Sequence, residues 1–120
     1  MPRIPNSSMV LLGYESLGVA AKAQVATGER YVKRVLGGNG TSTLYYLQVH
    51  NTVGEPAGGA VPAISIPVGI GVAESPTENE RAFGIDFMPF PVGVYVAWSS
   101  TMATYTAVTP AVHYAEVDYV

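Results

Sequence analysis

The sequence predicts an all-β fold: an antiparallel β-sandwich or jelly-roll-like small barrel with an extended N-terminal arm. Three observations lead there. Apolar residues recur with period two, so each short segment shows one dry face and one wetter face. Glycine and proline number 13 and 9 in 120 residues, enough to punctuate the chain with turns. Those turns fall every ~8–12 residues, the spacing of a sandwich or barrel. The length fits one domain with a real core.

Residues 1–14 hold Pro2, Pro5, Asn6, Ser7 and Ser8. Prolines with their fixed φ and missing N–H make a poor strand start, so this stretch reads as an extended arm, disordered alone or ordered by a neighbour. Residues 15–120 then form the single domain. From Leu17 to Val25 the odd positions Leu17, Val19, Ala21, Ala23 and Val25 are apolar, whereas Gly18, Lys22 and Gln24 alternate with them. Tyr31 to Leu36 forms the next strand, and Gly37-Gly38-Asn39-Gly40 reads as a loop. Thr43 to His50 places Tyr45, Leu47 and Val49 on one face. Asn51 to Val61 is a Gly/Pro-rich connection before the strand of Ile64, Ile66 and Val68. Glu74 to Glu80 reads as an acidic, polar loop. Phe83, Ile85 and Phe87 alternate next. Phe90, Val92, Val94, Val96 and Trp98 then share a face of one long strand. The last strand runs from about Val112 to Tyr119, with Ala115, Val117 and Tyr119 opposite Glu116 and Asp118.

Composition narrows the function. Charged residues are 12% of the chain, with nine acidic, six basic and a net charge of −3. Nucleic-acid binding needs a cationic field to displace counterions from phosphate, and six scattered Lys and Arg do not supply one. Without cysteine there is no disulfide, thiolate metal site or Cys nucleophile. Met9 to Leu12 is too short for a signal-peptide core, and no apolar run approaches the ~20 residues of a membrane-spanning helix. The expectation is therefore no nucleic acid and no membrane partner. The sequons at Asn6 and Asn39 are expected to be fortuitous.

Chemistry-bearing patterns are sparse. His50 and His113 lack metal-ligand spacing to any acidic residue, and read as one surface and one packed histidine. Ser99, Ser100 and Thr101 lack the setting of a hydrolase nucleophile and read as turn-forming hydroxyls. The glycines at 37–40 lack the Lys-Ser/Thr of a phosphate loop, and Gly69-Ile70-Gly71 has Glu74 where a dinucleotide fingerprint needs a small residue. No cofactor is expected. Glu74, Glu78 and Glu80, with Asn79, are the one place for a hard cation, but the oxygen spacing is poor for calcium and a solvated loop is expected. Asp86 with Glu116 or Asp118 is the one conceivable carboxylate pair for glycoside chemistry. The chain is expected not to be an enzyme. Trp98 and the tyrosines 14, 31, 45, 46, 95, 105, 114 and 119 either fill the core and subunit contacts or stack on sugar rings.

From Tyr31 to Val120 an ordered series of short motifs is present: Tyr45-Tyr46-Leu47-Gln48-Val49-His50-Asn51, then Pro62 and Ile64-Ser65-Ile66-Pro67-Val68, then Gly84-Ile85-Asp86-Phe87, then Phe90-Pro91-Val92-Gly93-Val94-Tyr95-Val96-Ala97-Trp98-Ser99, then Ala103-Thr104-Tyr105-Thr106. In order and spacing this resembles a group of small bacteriophage virion proteins, over roughly three quarters of the chain; the first 30 residues do not share it. The resemblance implies a non-enzymatic β-sandwich, often trimeric, that decorates the particle as a capsid cement protein or serves at the head or tail. The expected partners are then two further copies of the chain and the major capsid protein, on the capsid surface of a virion. A carbohydrate- or receptor-binding module, or a neck or tail accessory, is the alternative. Eight Ser and nine Thr against 15 charged residues fit burial against neighbours, since desolvating a hydroxyl costs less than desolvating a charge. Arg3, Ile4, Pro5, Met9, Leu11 and Tyr14 of the arm are the expected capsid or subunit contacts.

Overall fold

The computed structural model describes residues 8–12, 22–72, 75–83, 87–108 and 113–120. Nine strands and no helix are present among them. They run as β1 (Ser8–Leu12), β2 (Lys22–Thr27), β3 (Arg30–Asn39), β4 (Tyr45–His50), β5 (Ile64–Val68), β6 (Thr77–Ala82), β7 (Met88–Phe90), β8 (Gly93–Ser99) and β9 (His113–Tyr119). One sheet has the order β1-β9-β3-β6, with β7 beside β6 on the same side of β3; the other has the order β2-β8-β4-β5. Every pairing is antiparallel. The fold is a small β-sandwich, as the alternation predicts.

The dry faces meet between the sheets. Val32 and Val35 of β3, Phe90 of β7 and Ala115 and Val117 of β9 pack against Leu47, Val49, Ile64, Ile66, Val68, Val94, Val96 and Trp98. Trp98 is wholly buried, and Gly37 makes room for it. A Cβ on Gly37 would sit 3.0 Å from both Trp98 Cη2 and Leu47 Cδ2.

That close approach corrects the reading of residues 37–40 as a loop. Gly37, Gly38 and Asn39 continue β3, paired with Asn79, Glu78 and Thr77 on one side and Ala115, Tyr114 and His113 on the other. Gly38 is covered by the Tyr114 ring, which leaves no space for a side chain there. Both glycines are selected by close packing across a strand.

The acidic stretch is likewise a strand in part. Thr77–Ala82 forms β6 at a sheet edge, largely exposed. Charges at an edge discourage pairing with another chain, and solvent on both faces removes the apolar alternation that marks a strand in sequence. Glu74 lies outside the described residues, as do 84–86 of the expected 83–87 strand and residues 17–21 of the expected 17–25 strand.

The single long strand over 90–98 is two strands in different sheets. Pro91 and Val92 turn the chain between β7 and β8, and Val92 is exposed. The break is held by Asn51 Oδ1, which accepts from Val92 N at 2.8 Å and Gly93 N at 3.2 Å. A second crossing, β2 to β3, lies alongside: Gly28, with φ +79°, donates its N–H to Val92 O at 2.9 Å. At the other end of the sandwich the β3–β4 and β5–β6 crossings are joined by Gly71 N to Thr41 O at 2.9 Å.

Candidate functional site

The polar side chains gather in three places. The first is the outward face of the β2-β8-β4-β5 sheet, where Tyr95 and Ala97 of β8 stand beside His50 and Gln48 of β4. Residues 100–107 fold back over this face, so all seven residues of β8 are buried. Gln48, fully buried between Leu47 and Val49, holds that loop. Its Nε2 donates to the carbonyls of Thr101 (2.9 Å), Thr104 (3.1 Å) and Met102 (3.2 Å). Its Oε1 lies 2.9 Å from His50 Nε2; with Nε2 of Gln48 committed as donor, the imidazole donates. His50 also meets the edge of the Tyr105 ring at 5.4 Å. Burial lowers its pKa, which favours the neutral ring. The Tyr105 hydroxyl donates to Glu55 Oε2 at 3.2 Å, and Lys22 Nζ reaches the same oxygen at 2.8 Å. Burial and then the Glu55 charge push the Tyr105 phenol up to about 12. Ser99 Oγ, buried, accepts from Thr106 N at 3.0 Å and Thr101 N at 3.2 Å. Ser99 and Thr101 thus act as turn formers.

The second place is the outward face of the other sheet. The Arg34 guanidinium spans three strands, donating to Glu80 of β6 (2.8 Å), Glu116 of β9 (3.1 Å) and Asp118 of β9 (3.2 Å). These carboxylates, Glu80 first, hold the Arg34 pKa above its ordinary value. Beside them Glu78 accepts from the Tyr114 hydroxyl. Glu116 and Asp118 are therefore ion-paired to Arg34, and Asp86, their conceivable catalytic partner, lies outside the described residues. Glu78 and Glu80 sit in extended β-structure, each engaged by its own partner. Among the described residues no three His, Asp or Glu side chains converge as a metal site.

The third place is in the core. His113 is stacked on Trp98, ring centroids 4.6 Å apart at 20°, and meets Tyr45 edge-on at 4.8 Å. Both histidines are buried, each only 3% exposed. That corrects the expectation that one of the two is a surface residue; the loop folded over β4 buries His50 as well.

Of the expected contact residues, Met9 and Leu11 lie in β1, opposite Asp118 and Glu116 of β9. Arg3, Ile4, Pro5 and Tyr14 lie outside the described residues. Residues 8–12 of the expected arm pair with a strand of their own chain. Trp98, the strongest candidate for stacking on a sugar ring, is inaccessible. The sequon at Asn39 is also closed. Its buried carboxamide donates to the carbonyls of Thr43, Gly69 and Val68 and accepts from Thr41 N and Oγ1.

Sequence reasoning missed the four carboxamides Gln24, Asn39, Gln48 and Asn51, which fasten the loops. Gln24 Nε2 donates to Ala26 O, Thr52 O and Val94 O, and its Oε1 accepts from Gly54 N. The available signal was an uncharged amide between β-branched or aliphatic neighbours, as in Leu47-Gln48-Val49. No protein-family model matches the chain, and no curated protein or solved structure matches it.

Proposed function

We propose that this chain is a structural protein of a bacteriophage virion, a decoration or cement protein that binds the outer capsid surface as a homotrimer and reinforces the head. One observation carries the reading: the described parts of the motif series form one physical unit. The 45–51, 64–68 and 93–99 motifs are the adjacent strands β4, β5 and β8. The 103–106 motif belongs to the loop that Gln48 fastens over them. Asn51, the last residue of the first motif, holds the turn inside the fourth. Motifs that build a scaffold in this way suit a protein that works by shape and contact rather than by chemistry.

Two features support contact between copies or with a capsid. The ion-paired polar groups are engaged within the fold, whereas large apolar side chains stand in solvent at both ends. Leu44, Ile70 and Val72 cluster by sequence position at the β3–β4 and β5–β6 crossings, with Val53 and Val92 at the opposite end. Burying such groups against a partner is favourable at roughly 25 cal/mol per Å². Many modest contacts made at once by a trimer then add through multivalency.

Native mass spectrometry at micromolar concentration tests the assembly. Three chains of 12.6 kDa give 37.8 kDa. A chain that stays at 12.6 kDa at all concentrations refutes the homotrimer. Binding to phage heads stripped of their decoration, with retention against heat, tests the partner; no binding to any such head refutes the cement role.

A further inference from the structure

We propose that His113 is an acid-operated latch: protonation of its ring drives it from between the sheets and frees the start of β9 from β3. This device stands apart from the virion reading and depends only on the core geometry. The ring is held between Trp98 of β8 and Tyr45 of β4, at 4.6 and 4.8 Å. Neither of its nitrogens has a hydrogen-bond partner among the described residues, and neither does Trp98 Nε1. A neutral imidazole tolerates that aromatic slot as a flat, weakly polar ring. An imidazolium carries two strong N–H donors and a charge that the slot does not answer.

Among the described residues no charged group or free hydrogen-bond acceptor faces the ring, and the cation–π attraction of the Trp98 face is small beside the lost hydration of an imidazolium. Tyr45 is the titratable group facing it from β4, and Trp98 faces it from β8. Across β3 its register partner is Asn39, whose side-chain Oδ1 already accepts from Thr41 N and Oγ1. The charged residues of its own strand, Glu116 and Asp118, and Glu78 of β6 are committed to Arg34 and Tyr114. Desolvation alone lowers the His113 pKa, from 6.5 to about 4.

The latch sits where release has leverage. His113 opens β9, which lies between β1 and β3, and its pairing with Asn39 is the last rung of the β3–β9 ladder. Asn39 in turn fastens the 40–44 and 68–69 segments. Withdrawing the ring therefore loosens one end of both sheets together.

Trp98 is the single tryptophan, so its fluorescence reports the slot directly. Emission is followed from pH 7 to pH 3 in the full chain and in His113→Phe, which fills the slot without titrating. The difference between 6.5 and about 4 corresponds to about a 300-fold shift of the closed–open equilibrium. The expected result is a reversible red shift below pH 5 in the wild type that His113→Phe lacks or displaces to lower pH. An identical transition in His113→Phe overturns the proposal, as does wild-type emission that stays blue to pH 3. Should the Phe variant fail to fold, the wild-type imidazole is titrated by NMR, its resonances assigned through contacts with Trp98. Protonation that coincides with the red shift supports the latch; protonation near 6.5 with Trp98 still blue overturns it.

Discussion

Replacing Gln48 with Ala tests whether one buried carboxamide holds the 100–107 loop. The consequence can be worked contact by contact. Of the three carbonyls that Gln48 serves, Thr101 O keeps the Ser99 hydroxyl at 2.9 Å and Thr104 O keeps the Thr101 hydroxyl at 2.7 Å. Met102 O loses its donor, and His50 Nε2 loses its acceptor. The buried His50 donor left without a partner costs about 1–3 kcal/mol, whereas Met102 is an exposed residue whose carbonyl can turn to water. The void left by the side chain adds a smaller cost, part of which an entering water offsets. The expected loss is about 2–3 kcal/mol, large beside a typical stability of ~5–15 kcal/mol. Urea unfolding followed by Trp98 fluorescence measures it. Hydrogen exchange should quicken locally at Ser100 and Tyr105, whose N–H groups bond Thr106 O and Ala60 O. A loss under about 1 kcal/mol, or one with no change in exchange at these amides, refutes the reasoning.

Other outcomes are equally specific. His113 binds a proton at about 4 when folded and near 6.5 when unfolded, so the unfolded chain holds more protons in between. Stability should be constant from this group above pH 6.5 and fall by about 3 kcal/mol on acidification to pH 4, with His50 adding in the same direction; urea midpoints across this range check it. Gly71→Ala places a Cβ 2.6 Å from Asn39 O and Thr77 N, a backbone clash expected to cost about 3 kcal/mol. Gly58→Ala, with open space around it, should stay within about 0.5 kcal/mol; urea unfolding reads both variants. Arg34→Met leaves Glu80, Glu116 and Asp118 without their cation. The expected loss at pH 7 is about 1–2 kcal/mol, shrinking in high salt as the ion pairs are screened. Removing residues 1–7 should weaken the proposed homotrimer, read by native mass, while the urea midpoint holds.

What the sequence disclosed follows from which physical signal each element carries. β4, β5 and β9 have one face in the core and one facing polar surroundings, so Leu47/Val49, Ile64/Ile66/Val68 and Ala115/Val117 alternate legibly. β6 sits at an edge with solvent on both faces, and Glu78 to Arg81 show no apolar period. Gly37 and Gly38 resembled a turn because glycine serves two needs, positive φ and close packing. Only the neighbours, Trp98 and Tyr114, distinguish them. Pro91 was visible, but a sheet change without a change of apolar rhythm was not. The burial of His50 and Gln48 depends on a loop some fifty positions away along the chain, a distance no local window spans. The candidate surfaces were legible only in part: Glu116 and Asp118 were singled out, but their shared cation, Arg34, lies more than eighty positions distant in sequence.

The place of β9 bears on how the protein is made. This strand lies inside its sheet, with β1 and β3 hydrogen-bonded on either side. Both partners are translated long before residues 113–119 emerge, and neither is a neighbour of the other without them. Until then β1 lacks its partner and β3 can pair along one edge only, with β6 and β7, so the sheet is completed only after synthesis has passed Tyr119. Non-local pairing of this kind folds slowly and exposes sticky intermediates. The opposite sheet, with β4 and β5 adjacent in sequence and β8 soon after, is able to form first. It becomes the surface on which the late strand docks, so yield in the cell should respond more to the speed at which β9 is delivered than to the final stability of the sandwich.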